Sequence, residues 1–188
     1  LFVIDRTPAA RLMRLMLRHD GVELGGTRKT LWAGRRDGEG GLVDPQEMCT
    51  SVDGTRLFVA DAAQRVVVVI DAGSLEVLGS FGSIAIGDGR VETLFQLPYG
   101  VACYGDRIFV SDQGLHEVSV FKGGGTQIDG GPYKRTRTLL SKGTDPGECR
   151  RPRGLCVLSD NRAGSHGDDG KGDDAEGADG NGDGSGDG

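Results

Sequence analysis

Aromatic side chains are scarce in this 188-residue sequence, with one tryptophan, three tyrosines and six phenylalanines making up only 5% of it. Base-stacking platforms for single-stranded nucleic acid are correspondingly few. There are three histidines, His19, His116 and His166, and the last lies in a polar C-terminal stretch. Two histidines are too few for the three converging ligands of a catalytic zinc site, so neither a metal nor a cofactor is expected. The four cysteines, Cys49, Cys103, Cys149 and Cys156, include no CxxC pair, and spacings of 54, 46 and 7 fit no common zinc motif. No apolar run exceeds VVVVI at 66–70, far short of the ~20 residues of a membrane-spanning helix. A cationic flank with a cleavage pattern is missing, so no signal peptide is read. There is no GxSxG and no Ser-His-Asp arrangement. The run GGGTQIDGG at 123–131 lacks the lysine and spacing of a phosphate loop.

Charge is unevenly distributed. The net charge is −6, yet residues 163–188 hold eight acidic residues and one lysine, which leaves the rest near +1. The acidity belongs to the tail, and a nearly neutral body argues against strong non-specific nucleic-acid binding. Residues 161–188 have almost no apolar side chains and read as a disordered Gly/Asp-rich tail or linker. Within it, DGNGDGSGD at 179–187 echoes the start of a calcium loop, but it has no twelfth-position acid and no flanking helices.

The body is repetitive. LFVID (1–5), RLFVAD (56–61) and RIFVSD (107–112) match, and their aspartates Asp5, Asp61 and Asp112 are 56 and 51 residues apart. A second landmark, DPQEMCTS (44–51), LPYGVACY (97–104) and RPRGLCVL (151–158), sets Pro45, Pro98 and Pro152 at spacings of 53 and 54. A glycine-rich loop precedes each proline. Turn signals at Asp53-Gly54, Gly73-Ser74 and Gly105-Asp106 separate runs rich in Val, Ile and Phe, which favour strands. The second repeat yields EMCTSV, RLFVAD, RVVVVID and EVLGSFG, and the third GVACY, RIFVSD, EVSVFK and RTRTLLS. RLMRLMLR at 11–18 is helix-like in composition but takes a strand's place in the repeat. Four strands every fifty-odd residues mark a propeller blade, which must stack on neighbours to bury both faces. The expected fold is therefore all-β: a β-propeller fragment of about three four-stranded blades with a disordered C-terminal tail. The propeller portion covers 1–160, as a partial blade (1–34), two blades (35–86 and 87–142) and the start of another (143–160). The chain begins inside an apolar run, as though cut from something longer, and a ring of about six blades would need more than it supplies.

These residues resemble the NHL repeat family, whose pattern runs glycine loop, Phe, Pro-x-Gly-Val-Ala, Ile-Tyr-Val-x-Asp, a short turn and Val-x-Val-Phe. The third repeat matches through Phe95, Pro98, Gly100, Val101, Ala102, Ile108, Phe109, Val110, Asp112, His116, Val118, Val120 and Phe121. The second matches through Pro45, Leu57, Phe58, Val59, Asp61, Arg65, Val67 and Val69, but has Glu47 where the glycine is expected. Gluconolactonase-like and other six-bladed propellers are near alternatives.

The aspartate ending each second strand has two readings: a ring of carboxylates for metal or substrate, or a cap on the following turn. Recurrence at one place in every repeat favours the cap. Cys49, Cys103 and Cys156 read as small buried side chains, kept from pairing because equivalent inner strands belong to different blades. Cys149, beside Arg150 and Arg151, reads as a thiol with a lowered pKa and a candidate redox group. Antiparallel order puts the loop before the first strand and the second-to-third turn on one rim. The binding residues read there are Arg35, Arg36, Arg65, Tyr99, His116, Arg150, Arg151 and Arg153, with Gln46, Gln64 and Arg90 nearby and Asp37, Glu39, Asp88 and Glu92 intruding. An ordinary solvated edge is the bland alternative. The function read is a non-enzymatic scaffold in a larger multidomain protein, binding a protein partner through this rim, with the cytoplasm as the favoured location. An RNA-binding propeller is the alternative, and a hydrolase or lyase with its active site in absent blades is the third reading.

Overall fold

From Val66 to Ile70 every side chain is apolar, so a strand there has no face to turn to water and must be covered on both. A computed structural model of the chain, describing residues 1–6, 10–15, 29–32, 41–86, 90–123 and 133–158, places this strand inside such a stack. The chain divides into two units, Leu1–Val157 and Leu158–Gly188. The second lies almost wholly outside the described residues, and with it the tail and its calcium-loop-like run.

The described residues are all-β, without a helix. β1 (Phe2–Asp5), β2 (Arg11–Arg14) and β3 (Lys29–Trp32) form an antiparallel sheet in that order. β4 (Pro45–Thr50), β5 (Arg56–Asp61), β6 (Val66–Asp71) and β7 (Val77–Phe81) form a second. β8 (Ser83–Ile86) and β9 (Arg90–Thr93) pair as a separate hairpin. β10 (Pro98–Tyr104), β11 (Arg107–Asp112), β12 (Glu117–Lys122) and β13 (Lys134–Lys142) form the third antiparallel sheet, and β14 (Glu148–Cys149) pairs parallel to the end of β13. The strands of the second and third repeats thus lie where composition and turn signals put them. The helix-like run at 11–18 is a strand over 11–14, while 16–18 fall outside the described residues.

Two expectations change. The stretch before Pro98, read as a loop, contains the β8–β9 hairpin, because Ser83–Ile86 and Arg90–Thr93 pair residue for residue. Residues 152–158, read as an inner strand, have no regular structure. The sequence after them is rich in Gly and Asp and offers no apolar strand for them to pair with.

Alternation decides which face of the second sheet meets which neighbour. Leu57, Val59, Val68 and Ile70 join Leu12, Leu42 and Leu75 in one buried cluster, with Phe2 and Ile4 of β1 packed against it. Phe58, Val67, Val69 and Phe81 join Phe95, Val101, Ile108, Val110 and Phe121 in another. The second sheet is therefore sandwiched between the first and the third. Burying a Val, Leu, Ile or Phe is worth about 1.5–3 kcal/mol, and a one-sided sheet would forgo half of these. Phe81, Phe95 and Phe121 form a tilted aromatic group with centroids 5.0–6.5 Å apart. The outer strand β13 is exposed, and Lys134, Arg135, Arg137 and Lys142 give it the charges that discourage edge-to-edge pairing.

Candidate functional site

The repeated aspartates come first, because their geometry decides between the two readings of them. Asp112 is 1% exposed. Its Oδ1 accepts from the backbone N–H of Leu97, Gly114 and Leu115 at 3.0, 2.8 and 2.9 Å, and its Oδ2 from that of Gln96 at 2.8 Å. Asp61 is equally buried and accepts from the N–H of Val43, Asp44 and Gln64 and from Gln64 Nε2. One carboxylate thus ties the loop entering the first strand to the turn leaving the second. A parallel backbone bond accompanies each, Ala62 N–H to Asp44 O and Gln113 N–H to Leu97 O, both at 3.0 Å. With both oxygens engaged by N–H donors, these carboxylates have a structural task. Among the described residues, no group of three His, Cys, Asp or Glu side chains could hold a metal.

The clamp also aims an anchor residue. Just before the clamped N–H groups, Leu42 and Phe95 are each 1% exposed, plugging the two apolar clusters. The turn held by each aspartate ends on a residue with positive φ, Arg65 at 58° and His116 at 58°. Both are non-glycine residues held in the left-handed region at equivalent places in their repeats.

The structure places several of the residues read as the rim against one another. Arg65 is exposed, and its carbonyl oxygen lies 3.5 Å from where a Cβ on Gly82 would sit, beside the Phe95 ring. Gly114 packs on Gln96 so closely that a Cβ would lie 2.6 Å from the Gln96 Cβ. The half-buried His116 accepts the Arg151 N–H on Nδ1 at 3.1 Å, and its carbonyl accepts from Cys149 Sγ at 3.3 Å. Arg153 holds its guanidinium 5.8 Å from the centroid of the half-buried Tyr99 ring, within cation–π range. Beneath it, Ser111 Oγ accepts the Gly100 N–H at 2.8 Å and donates to the Arg153 carbonyl. A Cβ on Gly100 would lie 2.3 Å from that carbonyl oxygen, so only glycine lets the 151–155 segment cross β10. Arg65, Arg150, Arg151 and Arg153 are exposed and form no ion pair with another described residue. Arg35 and Arg36 lie outside the described residues.

No protein-family model matches the chain, and no curated protein matches it.

Three thiol expectations are revised, the first because Cys156, read as a small buried side chain, is exposed on a segment without regular structure. Cys149 is half-buried, taking the place in its repeat that Leu42 and Phe95 hold in theirs. Burial and then the nearby Glu117 carboxylate raise its pKa, and the adjacent arginines do not lower it. Cys49 and Cys103 belong to different sheets, as expected, yet their sulfurs are 3.0 Å apart. The first strands of the second and third sheets, β4 and β10, run side by side where the two sheets meet, so equivalent positions converge there.

The opposite rim holds a feature the repeat pattern did not mark. A cavity of about 510 Å³ lies between the β4–β5 turn and the β10–β11 turn. Phe58, Ile108 and Tyr133 supply apolar walls, Cys103 reaches it, and Arg56, Asp53 and Asp106 line its mouth. Arg56 Nη1 donates to Tyr133 Oη at 3.2 Å, and the Tyr133 ring stands edge-on to Phe58 at 5.7 Å. Asp53 has its pKa lowered to about 2, chiefly by the Ser51 hydroxyl, then by the Thr55 N–H and hydroxyl. Sequence spacing could not find this cavity, because Tyr133 lies 77 residues from Arg56 and closes it only through tertiary packing.

Proposed function

We propose that this chain is an arc of an NHL-type β-propeller acting as a non-enzymatic binding module, docking a protein partner through the rim of Arg65, Tyr99, His116, Arg150, Arg151 and Arg153. The observation that carries the reading is the combination at that rim. Its guanidinium groups are exposed without ion-pair partners among the described residues, while the carboxylates beneath are consumed by backbone N–H groups. Unpaired surface guanidiniums suit carboxylates on a partner, as bidentate donors that choose and orient it. The rigid backbone below supports this, since Gly100, Ser111 and the Asp112 clamp hold the arginine segment in place before any partner arrives. Repeated four-stranded antiparallel sheets stacked face to face support the propeller arc.

The test is affinity capture from cell extract, run with and without nuclease treatment, with the wild-type chain and with the triple variant R150E/R151E/R153E, after circular dichroism has shown that both fold. Proteins retained by the wild type and lost from the variant are the expected result. Equal retention by both would sink the rim as the docking surface, and retention that vanishes with nuclease would replace the protein partner by RNA.

A further inference from the structure

The thiols of Cys49 and Cys103 are the most closely approached reactive pair among the described residues that the rim does not use. They come from the first strands of different sheets, 54 residues apart in sequence, with sulfurs 3.0 Å from each other. That is inside van der Waals contact, and a disulfide requires a further approach of only about 1 Å. The strands hold both side chains in register, since Cys49 lies opposite Phe58 in its sheet and Cys103 opposite Ile108 in its own. Both sulfurs pack against the cluster between the two sheets. Cys103 also lines the cavity on the opposite rim, which leads from solvent to the thiol pair.

We propose that Cys49 and Cys103 are a redox-sensitive staple, closed into an intersheet disulfide by a small peroxide entering through that cavity. The peroxide transfers one oxygen to Cys103, giving a sulfenic acid and one water. The Cys49 sulfur then attacks the Cys103 sulfur, the new S–S bond replaces the S–O bond, and the hydroxyl leaves with the Cys49 proton as a second water. Two thiols are oxidised by two electrons in all, and the peroxide is reduced to two waters. In the reduced protein the two thiols share a hydrogen bond in which either sulfur can donate, and the Cys49 pKa is raised by that bond and by burial. Oxidation of Cys103 replaces the thiol on the Cys103 side of that bond. The bond would join β4 covalently to β10, and so the second sheet to the third, independently of any partner at the rim.

Trypsin places each cysteine in a separate peptide, with Cys49 in 37–56, Cys103 in 91–107, Cys149 in 143–150 and Cys156 in 154–162. The full-length chain is treated with hydrogen peroxide, its remaining thiols are alkylated, and the unreduced digest is read by mass spectrometry. The expected product is the 37–56/91–107 pair, lighter by two hydrogens than its separate peptides, formed at a rate independent of protein concentration and lost on reduction. In C49S, Cys103 should instead be trapped by dimedone as its sulfenic acid. Two outcomes would overturn the staple. One is predominance of the Cys149–Cys156 pair, only 7 residues apart and favoured in a disordered chain. The other is alkylation of Cys49 and Cys103 as fast as the exposed Cys156, with no cross-link.

Discussion

Replacing Asp112 separates a structural clamp from a ligand-binding carboxylate. Asp112→Ala strips the acceptor from four backbone N–H groups, those of Gln96, Leu97, Gly114 and Leu115. A buried donor left unsatisfied costs about 1–3 kcal/mol. Gln96 and Leu97 are exposed and can turn to water, whereas Gly114 and Leu115 are half-buried, so the loss falls well short of four full penalties. The expected destabilisation is about 3–5 kcal/mol, against a total of ~5–15 kcal/mol for a typical domain. Asp112→Asn is the informative companion. With its carbonyl at the Oδ1 position it keeps the three bonds from Leu97, Gly114 and Leu115, and opposes only the Gln96 N–H with its own donor. It should cost about 1–2 kcal/mol. Urea unfolding followed by far-ultraviolet circular dichroism gives both values, and the same order should hold for Asp61. A loss below about 1 kcal/mol in Asp112→Ala, or equal losses in Ala and Asn, would refute the clamp. A carboxylate held for a ligand would behave differently, with stability rising or unchanged in both variants.

Gly100→Ala puts a Cβ 2.3 Å from the Arg153 carbonyl oxygen and 2.8 Å from Ser111 Oγ. The 151–155 segment should lift from β10, costing about 1–3 kcal/mol in urea unfolding, with faster hydrogen exchange at Leu155, while unchanged exchange there would show that the crossing is not tight. Asp53 should titrate near pH 2 by carboxyl-carbon NMR, with Ser51→Ala moving the midpoint up toward the ordinary 3.8. Its folded pKa is depressed, so its contribution to stability is full above the unfolded pKa and is lost as pH falls toward 2, and a midpoint unmoved by Ser51→Ala would remove the hydroxyl as the cause.

Much of the architecture was legible because strand signals are local. Alternating or continuous Val, Ile and Phe runs between Gly and Asp turns marked β4–β7 and β10–β13 to within two residues at their ends. The role of Asp61 and Asp112 was also legible, since a carboxylate recurring at one place in each repeat answers a need of the backbone. The β8–β9 hairpin was missed because its glycines and charges read as loop, and its pairing lies between two segments with no strong apolar pattern. The pKa of Cys149 was misjudged because neighbours in sequence, Arg150 and Arg151, were taken as neighbours in space, whereas burial and Glu117 surround the sulfur.

Local periodicity and turn chemistry, carried by the sequence alone, determined that this chain is built of short antiparallel strands in repeated sets and that the aspartates of the second and third repeats, Asp61 and Asp112, each anchor a turn. Only the tertiary structure decided which surfaces and side chains meet. It brought Cys49 to Cys103, passed the Arg153 backbone over Gly100, and closed the cavity with Tyr133. The physical reason is that hydrogen bonding within a sheet is written in neighbouring residues. Contact between sheets depends instead on how two buried faces, each specified only as apolar, come to lie against each other.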